Sequence, residues 1–383
     1  MHKSLTGNKE ILNSQERLIQ AAIALFSEKW YGAVSVAEIC RRSGLSNGLF
    51  YRYYRDKESI FRAILEMVIT RIAESLQGIS GNSADERLES FAAIIFNFSQ
   101  ANQDIVKVFR EGQYRFLEYE QRLKAVYEKG YETVFGEKPG LADYLFALGG
   151  LRFAATRAAF QEVPAKLDTL ISILKRGIFP EAGFDSEKVF SSSITPMPLE
   201  LLPDGRERML KEGKNLVGSQ GFYETNIYEI SSAAGLSTGA FYTYFESKEA
   251  FFAQLIKRVG REVRRFISIN LSPNLNPLER ELRGLWLFVV FLSLDRHCYG
   301  LVREAEFVLP RAAKEYYESF VIGYRSHLAA SAGLDLATTI EFLLGIAHYL
   351  GIEVVFERSP ENAKNVISEI GELYRYGLSG SGR

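Results

Sequence analysis

The sequence predicts an all-α fold in which one helical unit is written twice. Three observations carry that prediction. Apolar residues recur at three-to-four spacing along most of the chain, as on one face of an α-helix. Strand signals are nearly absent, and β-branched or serine-rich stretches gather mainly in 186–205. The phrase GLSNGLFYRYYRDK at 44–57 returns as GLSTGAFYTYFESK at 235–248, with Gly, Leu, Ser, Gly, Phe, Tyr, Tyr and Lys at identical offsets.

Composition bounds the reading. A chain of 383 residues, 47% of them apolar, is long enough for two domains with sizeable cores. The 46 basic and 47 acidic residues nearly cancel, so any footprint for nucleic acid must be local. Two cysteines, Cys40 and Cys298, stand far apart in unlike contexts. That excludes a disulfide framework and fits a reducing compartment. The opening MHKSLTGNKE lacks the apolar core of a signal peptide, and the longest apolar run, GLWLFVVFLSL at 284–294, is about half a bilayer span. The expectation is a cytoplasmic protein with no membrane partner.

The elements follow in order. Segment 15–28 sets Leu18, Ala21, Ala22, Leu25 and Phe26 on one stripe. Ser35 precedes Glu38 by three residues and Asn226 precedes Glu229 by three, the spacing of a capping box, so a short helix begins at each. Gly44 and Gly235 supply the left-handed stop. Ser46 and Ser237 cap a second short helix. Asp56 and Ser247 cap a third, which opens on Lys57 or Lys248. Two short helices about a glycine turn make a helix-turn-helix, whose physical use is to set its second helix in the DNA major groove. These helices are expected at 35–43 and 46–52, and again at 226–234 and 237–243.

The phrases SVAEICRRSGLSNGLFYRYYRDKESIF and NIYEISSAAGLSTGAFYTYFESKEAFF resemble the DNA-binding segment of the TetR (tetracycline-repressor-like) family. Weaker echoes extend over whole units. Arg110-Glu111 matches Arg303-Glu304, Gly130-Tyr131 matches Gly323-Tyr324, and LFALGGLRF at 145–153 parallels FLLGIAHYL at 342–350. The expected division is a first head at 10–76, a first helical core at 84–179, a linker at 180–205, a second head at 206–268 and a second core at 275–378. The resemblance implies a four-helix dimer interface, with 141–160 and 335–357 as its central helices. Gly149, Gly150 and Gly345 would allow close backbone approach there. Both subunits being fused, the expected arrangement is an intramolecular pseudo-dimer, monomeric or weakly self-associating, whose halves meet at high effective concentration across a flexible tether.

The expected partner is a double-stranded DNA operator. Ser46, Asn47, Gly48 and Leu49 open the first recognition helix and face base edges, while Tyr51, Arg52 and Tyr53 suit phosphates, Arg52 also a guanine. Lys57 and Ser35, each at a helix start, are further phosphate candidates. The second head offers Asn226, Ser237, Thr238, Gly239, Ala240, Tyr242, Thr243, Tyr244 and Lys248. Phe50 and Phe241 are core pins. From 35 to 57, five cations (Arg41, Arg42, Arg52, Arg55, Lys57) stand against Glu38 and Asp56, whereas 226–248 has Lys248 against Glu229 and Glu246. The second head is therefore expected to bind more weakly. Gly213 and Gly218, where the first head has Ala22 and Ser27, are expected to cost its first helix about 1 kcal/mol each.

The cores are rich in aromatics: Phe91, Phe96, Phe98, Phe109, Tyr114 and Phe116 in one half, and Trp286, Phe288, Phe291, Tyr299 and Phe307 in the other. TetR-like cores commonly bind an inducer, so a pocket for a small apolar or aromatic molecule is expected, with Phe91, Phe109, Tyr114, Trp286, Phe291 and Phe307 as candidate contacts. For any single one of these, ordinary core packing is the competing reading. His297 beside Cys298 has no companion cluster at ligand spacing, so no metal or cofactor is expected. No catalytic triad or phosphate-binding glycine loop appears. The reading is a ligand-released repressor, not an enzyme. The alternative is a small-molecule-binding protein or enzyme on the same scaffold with its DNA function lost.

Overall fold

The computed structural model describes residues 13–160, 163–197, 204–328, 333–357 and 362–380, and every regular element among them is helical. The first half comprises α1 (Ser14–Glu28), α2 (Val36–Ser43), α3 (Asn47–Tyr53), α4 (Lys57–Leu76), α5 (Ala84–Ala101), α6 (Gln103–Arg115), α7 (Leu117–Phe135), α8 (Leu141–Tyr144), α9 (Leu151–Ala159) and α10 (Leu167–Arg176). A wider, π-type segment, Leu145–Gly150, joins α8 to α9. The second half comprises α11 (Gly205–Gln220), α12 (Ile227–Ala233), α13 (Thr238–Tyr244), α14 (Lys248–Ile269), α15 (Pro277–Leu294), α16 (His297–Val308), α17 (Pro310–Arg325), α18 (Leu336–Glu357) and α19 (Ala363–Tyr376). No single helix among the described residues is long and apolar enough to cross a membrane.

The helix ends are where local chemistry puts them. Ser35 and Asn226 close capping boxes with Glu38 and Glu229. A third box, Asn13 with Glu16, starts α1. Gly44 at φ 66° and Gly235 at φ 68° make the left-handed turns after α2 and α12, a backbone region in which a Cβ is strained. Ser46 and Ser237 accept the N–H groups of Leu49 and Ala240.

The chain packs as two compact units. One contains the residues through Arg71 together with Asn102–Leu123; the other contains Ile72–Ala101 and Lys124–Arg383. In the first unit, α1 lies on α2 and α6, and Leu18, Phe26, Ile39, Phe50, Phe61 and Leu65 are buried together. Glu111 of α6 binds the head directly. Both its carboxylate oxygens accept the Tyr31 N–H, at 3.0 and 2.9 Å, and Oε1 accepts Arg115 Nε at 3.1 Å. By packing, then, α6 goes with the first head rather than with the rest of the first core.

In the second unit, the Leu145–Gly150 segment and α9 pack along α18, α10 packs on α18 and α19, and α19 reaches α8. These are the last helices of each half, so the two halves pair with each other within one chain. The backbones touch. A Cβ on Gly345 would lie 2.7 Å from the Gly149 carbonyl oxygen and 2.9 Å from Gly150 Cα, and one on Gly150 would lie 2.5 Å from the Phe342 ring. Arg157 and Glu341 form an ion pair at 2.5 Å across this seam, with side chains 3% and 1% exposed. Arg152 lies between the rings of Tyr127 and Tyr349, 4.8 Å from each centroid.

The segment between the halves departs from the expected free tether. Its described part is strapped to the second half. Arg283 donates to the carbonyls of Val189 and Ser192 at 2.9 and 3.1 Å, and Asn270 exchanges two hydrogen bonds with the Thr195 backbone. Val189 is fully buried. A serine-rich stretch reads as loose until the guanidinium that collects its carbonyls is seen. Residues 198–203 of the expected linker, and 10–12 of the expected first head, lie outside the described residues.

The seam ion pair yields a stability prediction. Removing one partner leaves a buried charge alone, so Glu341→Gln is expected to lower unfolding free energy by about 3–5 kcal/mol. Glu315→Gln, which breaks the exposed Arg311–Glu315 pair, is expected to cost under about 1 kcal/mol. Urea titrations followed by circular dichroism measure both, and equal losses would contradict a desolvated seam.

Candidate nucleic-acid interface and core cavity

In the first head, α2, the Gly44 turn and α3 are held from beneath by Phe50, which is fully buried and packs on Tyr54 at 5.7 Å with the rings tilted by 46°. With Phe50 fixed, its neighbours point outward. Tyr51 and Tyr53 are 58% and 40% exposed. Ser46, Asn47, Gly48 and Arg52 are exposed and Leu49 is half-buried. Nothing crowds Gly48, where a Cβ would meet only Ser46 Oγ at 3.9 Å.

Charge on this face is less than the tally of five cations suggests. Arg42 is bound in a two-pronged pair with Glu28, both contacts at 2.7 Å, and Arg55 pairs with Asp56 at 3.0 Å. Lys57 turns inward. Its ammonium donates to the carbonyls of Tyr31 and Val34 at 2.9 and 2.8 Å and lies 4.2 Å over the Tyr31 ring. Burial lowers its pKa. Its side chain therefore clamps the turn before α2 to α4 instead of facing outward as a phosphate ligand. Ser35 likewise spends its hydroxyl on the capping box, donating to Glu38 Oε2 at 3.0 Å. Arg41 and Arg52 remain, both exposed and with no ion pair among the described residues.

The second head repeats the geometry without the charge. Phe241 is fully buried, and Tyr242 and Tyr244 are 58% and 39% exposed. Thr238 and Gly239 are exposed and Ala240 is half-buried. The Thr243 hydroxyl folds back on the Gly239 carbonyl at 3.4 Å. Asn226 is held in its capping box, and Lys248 is a clamp again, donating to the Tyr223 carbonyl at 3.2 Å over the Phe222 ring. Two further tyrosines, Tyr223 and Tyr228, are 60% and 69% exposed. Sequence reasoning passed over both, because their counterparts in the first head are Gly32 and Ala37.

The two extra glycines of α11 are not defects. A Cβ on Gly213 would lie 2.2 Å from the Phe251 ring, and one on Gly218 would lie 2.4 Å from His297 Cβ. In the first head the corresponding pair is Ala22 with Ile60. Glycine for alanine is matched by phenylalanine for isoleucine, so the helix-propensity cost is offset by packing.

The second core holds a half-open cavity of about 350 Å³ between α14, α15, α16, α17 and α18. Its walls include Phe288 and Tyr299, but not the six aromatics expected from sequence. Phe91 is fully buried in the first core and Phe109 is buried in the first unit. Trp286 meets Phe190 edge-on at 5.8 Å, and Phe291 packs on Phe266 at 5.6 Å. Tyr114 and Phe307 also lie outside the lining. A one-dimensional count of aromatics does not separate rings that fill space from rings that border it.

Polar groups line the cavity too. Arg303 Nη1 lies 2.6 Å from His348 Nε2. A guanidinium only donates, so Nε2 accepts and the proton sits on Nδ1. Nδ1 then donates to the Tyr317 oxygen at 3.1 Å, and Tyr317 donates to Glu306 Oε1 at 2.7 Å. Glu281 Oε1 accepts the Tyr324 hydroxyl at 3.1 Å, and burial pushes the Glu281 pKa up to about 7. Cys298, also at the wall, has its thiol pKa pushed up by burial. The groups grouped here do not make a metal centre: no cluster of three or more His, Cys, Asp or Glu occurs among the described residues.

Two helix-turn-helix heads on helical cores define a DNA-binding transcriptional regulator. Comparison with known proteins agrees. Residues 18–64 and 209–255 both match the family model described as bacterial regulatory proteins, tetR family. The uncharacterised HTH-type transcriptional regulator YdgC of Bacillus subtilis is 29% identical over 184 residues, which are 46% of this chain and 93% of YdgC. The HTH-type transcriptional regulator BetI of Serratia proteamaculans is 31% identical over 99 residues, 25% of this chain and half of BetI. The solved structure of the fatty acid degradation regulator FadR from Bacillus halodurans aligns with 47% of this chain and all of its own, at 13% identity and a TM-score of 0.41. The chain thus carries the DNA-binding segment described by the tetR family model twice, once in each half.

The buried carboxyl of Glu281 gives the protein a pH signature. Its folded pKa lies above the ordinary glutamate value of 4.5, so its contribution is intact below that value and is lost as pH rises through about 7. The loss amounts to about 3 kcal/mol. Glu281→Gln removes it. The melting temperature of the native chain is expected to fall relative to that variant between about pH 5 and pH 9, and parallel profiles would contradict the raised pKa.

Proposed function

We propose that the chain is a repressor that reads an operator with two unlike half-sites and is released when a small molecule enters the second core. One contrast carries the reading. The first recognition helix presents Tyr51, Arg52 and Tyr53 with Arg41 free beside it, whereas the second presents Tyr242, Thr243 and Tyr244 with no outward cation between 226 and 248. Asn47 in the first helix can pair bidentately with adenine, while Thr238 offers one polar contact and a methyl. A homodimer presents identical helices and matches a palindrome; this fused chain is free of that constraint.

The route to release is supported by α16. It carries Tyr299, Val302 and Arg303 of the cavity wall, and Glu304, whose Oε2 accepts the Phe222 N–H at 2.9 Å beside the second head. A ligand that favours one position of this helix over another biases the head it caps.

Selection of bound duplexes from a random pool tests the reading. The expected consensus is asymmetric, with more information under the first head. A consensus symmetric about its centre, with equal information in both arms, would mean that two first heads from separate chains bind instead. Arg52→Ala is expected to weaken binding far more than Thr243→Ala and to flatten the salt dependence by about one unit of slope. Because each half satisfies the other's seam, sedimentation equilibrium is expected to find a monomer at low concentration. An obligate dimer paired between chains would contradict the single-chain operator complex.

A further inference from the structure

We propose that the second core binds one small anionic amphiphile per chain, with its carboxylate-type head between Arg264 and Arg280, and that the first core binds none. This deepens the effector reading above and rests on it only for the consequence at DNA.

The cavity is built for a mixed molecule. Val263, Leu285, Phe288, Leu292, Val302 and Phe320 give it apolar walls, and its volume lies within the range of small-molecule sites. Its charges do not balance. Arg264 is half-buried and faces the Phe320 ring, 5.5 Å from guanidinium carbon to centroid, and burial lowers its pKa. Arg280 has its Nε buried with no hydrogen-bond partner. Neither guanidinium forms an ion pair with any described residue. The one carboxylate in the lining, Glu281, is hydrogen-bonded to Tyr324 and is half protonated near neutrality. Half-buried cations without a counter-charge lose part of their hydration, and a bound anion offsets that cost while its apolar body fills the remaining space.

The first core shows what the same site looks like when closed. Gly130 matches Gly323 at an offset of 193, and the same offset sets Arg87 against Arg280, Leu88 against Glu281, Phe91 against Gly284 and Val134 against His327. In the first core, Arg87 Nε donates to the Val134 carbonyl at 3.0 Å. The Phe91 ring lies 2.8 Å from where a Cβ on Gly130 would be. In the second core, Gly284 and Gly323 have nothing within 4 Å of the corresponding points. A phenylalanine side chain on one copy and a hydrogen on the other decide which core is open.

Calorimetric titration of the full chain with decanoate, decanol and decyltrimethylammonium tests this. Decanoate is expected to bind once per chain, with decanol at least about tenfold weaker and the cation not binding. Arg280→Gln is expected to weaken decanoate about tenfold and leave decanol unchanged. Gly284→Phe, which copies the first core's ring against a facing glycine, is expected to abolish binding of both. Two decanoates per chain, equal affinity for decanol, or no saturable decanoate binding up to about 1 mM would overturn the proposal. If Gly284→Phe does not fold, Arg280→Gln and the stoichiometry decide. Decanoate binding that leaves affinity for the selected operator unchanged would sink the effector reading and leave this inference standing.

Discussion

The rest of the second unit depends on one close approach, that of Gly345 on α18 to the Gly149–Gly150 backbone. A methyl group at any of the three would meet a carbonyl oxygen, a Cα or an aromatic ring. At that distance the neighbouring side chains have no freedom of register. Arg157 must meet Glu341, and Phe153 must lie against the His348 ring, 5.2 Å between centroids. His348 is also the group that receives Arg303 inside the cavity. The seam and the cavity thus share a side chain, and a change in one is felt in the other through packed, buried contacts.

The clamps show how a fold and a binding face are built from the same residues. Lys57 and Lys248 sit where a helix start invites an anion, yet each ammonium is drawn in by backbone carbonyls of the preceding turn. Satisfying those carbonyls holds the turn, and the turn sets the angle at which the next two helices leave. Recognition then falls to the side chains that the buried Phe50 and Phe241 force outward.

The helix-turn-helix heads were legible because their signals are local. A cap lies three residues from its glutamate, a left-handed glycine follows, and a phenylalanine pin recurs at the same offset in both halves. The seam was legible too, since Gly149, Gly150 and Gly345 stand in otherwise apolar runs. What stayed hidden needed a partner far away in sequence. Gly213 reads as a weak spot until Phe251 is found against it, and Trp286 reads as a pocket wall until Phe190 covers it. The cavity is the clearest case. Its signal was present in the pairing of Phe91 with Gly284, but a missing side chain says nothing until the space around it is known to be empty.

The Arg157–Glu341 pair also bears on how the two halves have come to differ. With 145 set against 342, Glu341 corresponds to Tyr144 and Arg157 to Val354. The pair therefore has no mirror image. In a symmetric homodimer every seam contact is encoded once and occurs twice, so an unmatched pair of this kind cannot arise. Here each side is inherited separately, and the seam has become directional. A first half meeting another first half would bring Arg157 up to a tyrosine, without its carboxylate. The two halves are no longer duplicates but complements, and neither copy can replace the other.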